Sequence, residues 1–149
     1  METIETVKPV TTMKTINATK GEFVNLINGL FAVQDLQGKE FSLLVSKNIS
    51  IIRDSLKDLE EAGQPSEEFM TLARQVNEIS NENAEDAKER IDKLEEENKK
   101  LVESRKVQMD NVAEMMKASM DIELNIIPED LLPEAITAKQ INNIEKIIE

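Results

Sequence analysis

The most regular stretch of the chain runs through Val45, Ile49, Ile52, Leu56 and Leu59, apolar side chains at successive intervals of four, three, four and three residues. That spacing is an a/d seam on one face of a helix. The helix is expected to stop at Ala62-Gly63-Gln64-Pro65, where Gly63 can take the left-handed cap conformation and Pro65 cannot extend the hydrogen-bond ladder. Upstream, Thr19 and Glu22 have the spacing of a capping box. Phe23, Ile27, Leu30 and Gln34, with Leu26 and Phe31 alongside, then lay a wide apolar stripe on a first helix that ends at Gln37-Gly38.

Beyond the Gly-Gln-Pro stop, Ser66 can cap a further helix, and Glu67 and Glu68 fall in its first turn, where the helix dipole favours negative charge. Its seam runs through Phe69, Leu72, Val76 and Ile79, fades between Asn77 and Arg90, and returns with Ile91, Leu94, Asn98 and Leu101 before Arg105, Met109, Val112 and Met116. An unbroken helix from Ser66 to Ser119 would have 54 residues and span roughly 80 Å at ~1.5 Å per residue. The preceding helix is too short to cover it. Either the chain breaks near 81–85 and folds back, or the far half pairs with a second copy.

The last thirty residues change period. In MDIELNII, residues 120–127, Ile122, Leu124 and Ile126 alternate with Asp121, Glu123 and Asn125, the pattern of a half-buried strand. The partner available to it is the Thr- and Val-rich N-terminal arm, around Val10 to Ile16. Pro128 and Pro133 bracket a turn, Thr137 and Gln140 form a second capping box, and Ile136 and Ile141 have the spacing of a hydrophobic staple. A short terminal helix carrying Ile141, Ile144 and Ile148 is expected to dock on the body. The expected fold is mainly α: an antiparallel helical hairpin or coiled-coil-like bundle, a short terminal helix, and a small two-stranded β ribbon joining the N-terminal arm to residues 120–127. It reads as a single domain, 1–149, with an extended arm (1–18), a helical body (19–119) and a strand, turn and C-terminal helix (120–149).

Composition sharpens this picture. Aromatic residues are 3% of the chain, four Phe with no Tyr or Trp, so a core must be built from the Ile, Leu, Val and Met of helix seams. The net charge is −12, and residues 60–100 hold 13 acidic and 6 basic side chains. Such a field repels phosphates and anionic membranes and suits a basic protein partner. Lys47, Arg53 and Lys57 are offset by Asp54 and Asp58, so the first two helices lack the basic face of a DNA reader. The absence of Cys and His removes thiolate and imidazole zinc sites, cysteine nucleophiles and the usual acyl-transfer base. Gly38-Lys39 lacks the flanking residues of a phosphate loop, and the acidic runs lack the spacing of a calcium loop. No enzymatic activity, cofactor or metal is expected, and neither a signal peptide nor a membrane span.

Two groups stand out as candidate surfaces. Met109, Met115, Met116 and Met120 are flexible thioethers that adapt to partner surfaces, although filling an irregular seam is their plainer role. Asn48, Asn83 and Asn98 lie at or beside seams, where a buried amide fixes register or oligomeric state. Asn98, between Leu94 and Leu101, is the best placed, and those three residues are a candidate partner or self-association surface. Glu95, Glu96 and Glu97 are the candidate acidic face.

The run FSLLVSKNISIIRDSLKDLEE, followed by PSEEF, a charged helical centre and IELNIIPEDLLPEAITAKQINNIEKIIE, resembles a group of small helical proteins of tailed bacteriophages whose function is uncharacterised. The likeness covers roughly residues 20–149 and rests on helix order, Lys47-Asn48 and the Pro-x-x-Ile-Thr ending. It implies a phage or prophage origin and work in the host bacterial cytoplasm or in the virion, and it supplies no site residues. The sequence is therefore expected to encode a non-catalytic protein-binding protein, an assembly factor or modulator of a host protein, that forms homo-oligomers. An acidic DNA mimic and a structural virion component are the alternatives.

Overall fold

A computed structural model describes residues 12–149; residues 1–11, including Pro9 and Val10 of the arm, lie outside the described residues. The elements are β1 (Met13–Thr19), α1 (Lys20–Val33), α2 (Lys39–Ser55), α3 (Lys57–Gly63), α4 (Glu67–Asn81), α5 (Ala87–Glu97), α6 (Lys99–Met116), β2 (Ser119–Asn125) and α7 (Ala138–Asn143), with 3-10 turns at Glu129–Leu131 and Glu145–Ile147. The protein is mainly helical with a small two-stranded antiparallel ribbon, as the periodicities require. It separates into two compact units: the described residues up to Lys57 with Met116–Glu149, and Asp58–Met115. In this division α1 and α2 belong with the ribbon and the C-terminal segment.

In the first unit, β1 pairs with β2 from Met13 opposite Asn125 to Thr19 opposite Ser119. The strand lies three residues later than expected because Thr19 serves twice: it closes β1 and caps α1. Its hydroxyl accepts from the Glu22 amide at 3.1 Å while Glu22 Oε1 accepts from the Thr19 amide at 3.2 Å. The inward ribbon face carries Ala18, Ile122, Leu124 and Ile126, which join Phe23, Leu26, Leu30 and Val33 of α1 and Phe41, Leu44, Val45, Ile49 and Ile52 of α2 in one apolar cluster. Every residue of the Val45–Leu59 seam is buried.

Several boundaries differ from expectation for local reasons. Gly38 does not end α1, which stops at Val33. With φ of 143° it sits instead at the N-cap of α2, a conformation glycine tolerates and side chains do not. The seam helix breaks at Leu56, one residue after Ser55 Oγ turns back on the Ile51 carbonyl at 2.8 Å, a bond that bends helices. Gly63 ends α3 without entering the left-handed region. Within the second unit the long helix is broken: α4 ends at Asn81, Asn83 adopts φ of 52°, and α5 begins at Ala87. The hairpin is therefore closed by the turn at 82–86, and α4 packs against α5.

The C-terminal segment docks on the core, but α7 ends at Asn143, before Ile144 and Ile148, and its fully buried anchors are Ile144 and Ile147, with Ile141 and Ile148 only half-buried. Thr137 and Gln140 cap α7 reciprocally. A Cβ added at Gly29 of α1 would stand 3.0 Å from the Asn143 carbonyl oxygen, so glycine permits the close approach of α1 and α7. Past α7 the tail runs beside Ile127, whose amide donates to the Ile147 carbonyl at 2.7 Å and whose carbonyl accepts from the Glu149 amide at 3.1 Å.

Asn125 breaks the alternation expected of its strand: it is buried, and its partner is Asn48. Asn48 Oδ1 accepts from the Asn125 backbone amide at 2.8 Å, and Asn48 Nδ2 donates to the Asn125 carbonyl at 2.9 Å. The carboxamide thus acts as the peptide group of a missing third strand. Loss of it strands two buried backbone groups at about 1–3 kcal/mol each. Asn48→Ala should lower the unfolding free energy by about 2–4 kcal/mol, read from urea denaturation.

Glu22 also ties the start of α1 to the tail, through Lys146 at 3.1 Å. That hydrogen bond first, then those from Thr19, hold its carboxyl below the usual glutamate range. A depressed carboxylate pKa gives stability that is complete at neutral pH and disappears as the pH falls through the folded-state value. Glu22→Gln, which keeps the capping box, should melt below the wild type at neutral pH and match it in strong acid.

Candidate functional site

The second unit, Asp58–Met115, buries few of its apolar side chains. Leu59, Leu72 and Val112 are its buried hydrophobics, while Met70, Val107 and Met109 are large apolar side chains at 45%, 59% and 43% exposure. Most of its seam residues, among them Val76, Ile79, Ile91, Leu94 and Leu101, are half-buried. The reason is geometric. Two helices shield the row between them from one another, but no third element of the unit covers the groove.

The base of the hairpin is fastened by polar groups. Gln108 Nε2 donates to the carbonyls of Ala62 at 2.9 Å and Gln64 at 2.7 Å, and Arg105 donates to the Gly63 carbonyl at 2.8 Å and to Gln108 Oε1 at 2.8 Å. The Arg105 guanidinium also lies 5.5 Å from the centre of the Phe69 ring, a favourable cation–π arrangement. These bonds satisfy the carbonyls left open where α3 ends, in the turn where Pro65 prevents further helix. Ser66 then caps α4, accepting from the Phe69 amide at 3.1 Å. At the tip, Glu82 holds Arg90 at 2.5 Å and raises its pKa, with Asp86 at 3.9 Å adding little.

A groove runs along one side of this hairpin. Glu68, Thr71, Leu72 and Gln75 of α4 face Glu97, Leu101 and Ser104 across it, and it continues past Glu97 to Ile79, Arg90, Lys93 and Leu94. Lys100, Glu103, Ser104 and Val107 extend it along α6. Of the candidate surface residues, Leu94, Asn98 and Leu101 line this groove, as do Glu96 and Glu97. Glu95 is exposed beside it.

Asn98 is half-buried and lines the groove. It interrupts the helix between α5 and α6, and its Nδ2 donates to the Leu94 carbonyl at 2.9 Å, a bond inside its own turn. The register-fixing amide is Asn48, in the other unit. Its signal was its spacing, three residues after Val45 and four before Ile52, which puts it on the seam. Asn83 occupies the tip turn.

Met109 is exposed on α6 and Met115 is half-buried near its end. Met116 backs onto Gly21 at the start of α1, and Met120 packs against the core from β2. Among the described residues no group of three or more acidic side chains converges as a metal site, and no helix is long and apolar enough to cross a membrane. No family model, curated protein or solved structure matches the chain.

The polar clamp generates a prediction. Gln108→Ala removes three hydrogen bonds and should cost about 1–3 kcal/mol. Hydrogen exchange should then quicken at amides in the 62–70 turn while the amides of α2 and β2 keep their protection.

Proposed function

We propose that this is a non-catalytic protein-binding protein of phage origin, an assembly factor or modulator of a host protein, whose working part is the helical hairpin of residues 58–115. One observation carries the reading: that unit buries three large apolar side chains, exposes three others and holds 17 acidic against 8 basic residues, a net of −9. The rest of the described chain, with 11 acidic and 9 basic residues, carries −2. Charge concentrated on an element that contributes little core serves recognition and long-range attraction more than folding. The partner on this reading presents a basic surface. The host cytoplasm and the assembling virion are the two settings that the phage resemblance implies.

The DNA-mimic alternative draws on the same acidic excess, and the eight basic residues spread through the unit weigh against it. Positive charges interspersed among the acids interrupt any imitation of a phosphate track.

The test is affinity capture from infected cells with the wild-type chain and with a Glu78→Gln, Glu89→Gln, Glu95→Gln variant, whose three acids are exposed outside the groove, followed by mass spectrometry. A discrete basic-surfaced protein should be retained by the wild type, released by raised salt, and retained several-fold less by the variant. Equal retention by both forms, or a captured protein without a basic surface, would refute the reading.

A further inference from the structure

We infer that the groove between α4 and α5–α6 is a self-association surface, occupied by the same groove of a second copy of the chain. The proposal rests on the reading of the hairpin as the binding unit, and it assigns the groove to a different occupant from the basic partner. The floor of the groove is apolar, buried at Leu72 and half-buried at Ile79, Leu94 and Leu101. Leu72 and Leu101 line one stretch of it and Ile79 and Leu94 the adjacent stretch, with Glu97 common to both, and Val107, the most exposed of the large hydrophobics, lies beyond Lys100 and Ser104. A row of aliphatic side chains open on one side is the surface that a second helical pair covers when a hairpin becomes a four-helix bundle.

Charge decides which partner fits. Against the unit's net of −9, the groove is lined by Glu68, Glu96, Glu97 and Glu103 on one side of the balance and Arg90, Lys93, Lys99 and Lys100 on the other. The lining is neutral. Half of the unit's basic residues therefore border the apolar floor, while 13 of its 17 acids lie elsewhere. Elsewhere on the hairpin 13 acids stand against four bases, so two copies that meet through its other faces bring like charges together. Through this face each presents both signs, as a self-complementary two-fold contact requires. A strongly basic partner gains nothing from a neutral strip and is drawn instead to the acidic faces around it.

Size sets the strength. From Arg90 to Val107 the wall is about 27 Å long at ~1.5 Å per residue, and two helices are about 20 Å wide. Roughly 500 Å² per copy, or about 1,000 Å² in all, falls below the 1,200–2,000 Å² of stable complexes. The dimer is consequently weak and concentration-dependent.

Sedimentation equilibrium of the full chain, from about 5 to about 500 μM to bracket so small an interface, tests this. The wild type should pass from monomer to dimer. A Lys93→Glu, Lys100→Glu variant should raise the dissociation constant at least about tenfold with unchanged helicity by circular dichroism. A Lys88→Glu, Lys106→Glu control makes the same change in net charge outside the groove and should dimerise like the wild type. Mixing the groove variant with a Glu96→Lys, Glu97→Lys variant should restore association. A wild type that stays monomeric throughout, or a control that loses the dimer as fully as the groove variant, would overturn the proposal. A monomer that still captures a basic protein would remove the second copy and leave the binding function standing; a charge-sensitive dimer that captures nothing would do the reverse.

Discussion

A buried carboxamide that stands in for a strand holds this fold in register. Apolar contacts between α2 and the ribbon are worth much in aggregate but have no direction, and a helix can slide over such a surface at little cost. The Asn48–Asn125 pair has direction: it accepts from one amide and donates to one carbonyl, so a shift of either element by one residue leaves both backbone groups buried without partners. In a ribbon a one-residue slip also turns the whole apolar set outward. The same edge of the chain is continued by Ile127, paired with Ile147 and Glu149. A side chain from α2 and the C-terminal tail together close the edge next to the core, where an open edge would invite other strands. The Asn125 side-chain amide, 3.3 Å from Asn48 Oδ1, completes the pair, and the described residues contain no buried side-chain polar atom without a hydrogen bond.

The two units are held together by different means. The first has a continuous apolar cluster drawn from α1, α2, β2 and the tail, so its stability is shared and its opening is cooperative. The second depends on local devices: Ser66 at the start of α4, the Glu82–Arg90 pair at the tip, and the Arg105–Gln108 clamp at the base. Exposed ion pairs contribute little, about 0–1 kcal/mol, and half-buried seams correspondingly less than full ones. The hairpin is thus the part of the molecule expected to open at low free energy, and ordering by a partner can be coupled to binding there.

What the sequence made legible is whatever is encoded within a few residues. Both capping boxes, the Ser66 cap and the Val45–Leu59 seam are local, and each is found where its spacing placed it; the period-two pattern of β2 holds through Leu124 and fails at Asn125, where the strand ends. The breaks at Leu56 and Asn98 were hidden because a seam can continue across a one-residue interruption without losing its apolar spacing. Gly38 was misassigned because the same residue type can close one helix or precede the next, and only φ distinguishes them. The buried amide was sought first at Asn98, whose seam neighbours Leu94 and Leu101 are apolar. It lies at Asn48 because its partner is 77 residues away, a pairing no window on the sequence contains. The groove was legible in part: Leu94, Asn98 and Leu101 were on it, but the α4 wall that makes it a groove required knowledge of where the chain reverses.

The chain leaves the core-bearing unit at Lys57 and returns to it at Met116, so the hairpin is an insertion in sequence between α2 and β2. An insertion of this kind can vary its surface without disturbing the elements that Asn48 holds in register, because none of the residues in the apolar cluster belongs to it. That separation explains how so much negative charge is tolerated. Spread over the core unit it would oppose compaction directly; concentrated on two solvated helices, it is screened within about 8–10 Å by salt and acts mainly on approaching molecules. Acidic lateral faces and a neutral apolar strip on the same hairpin are then two separate selectivities, one reaching outward through the field and one effective only at contact.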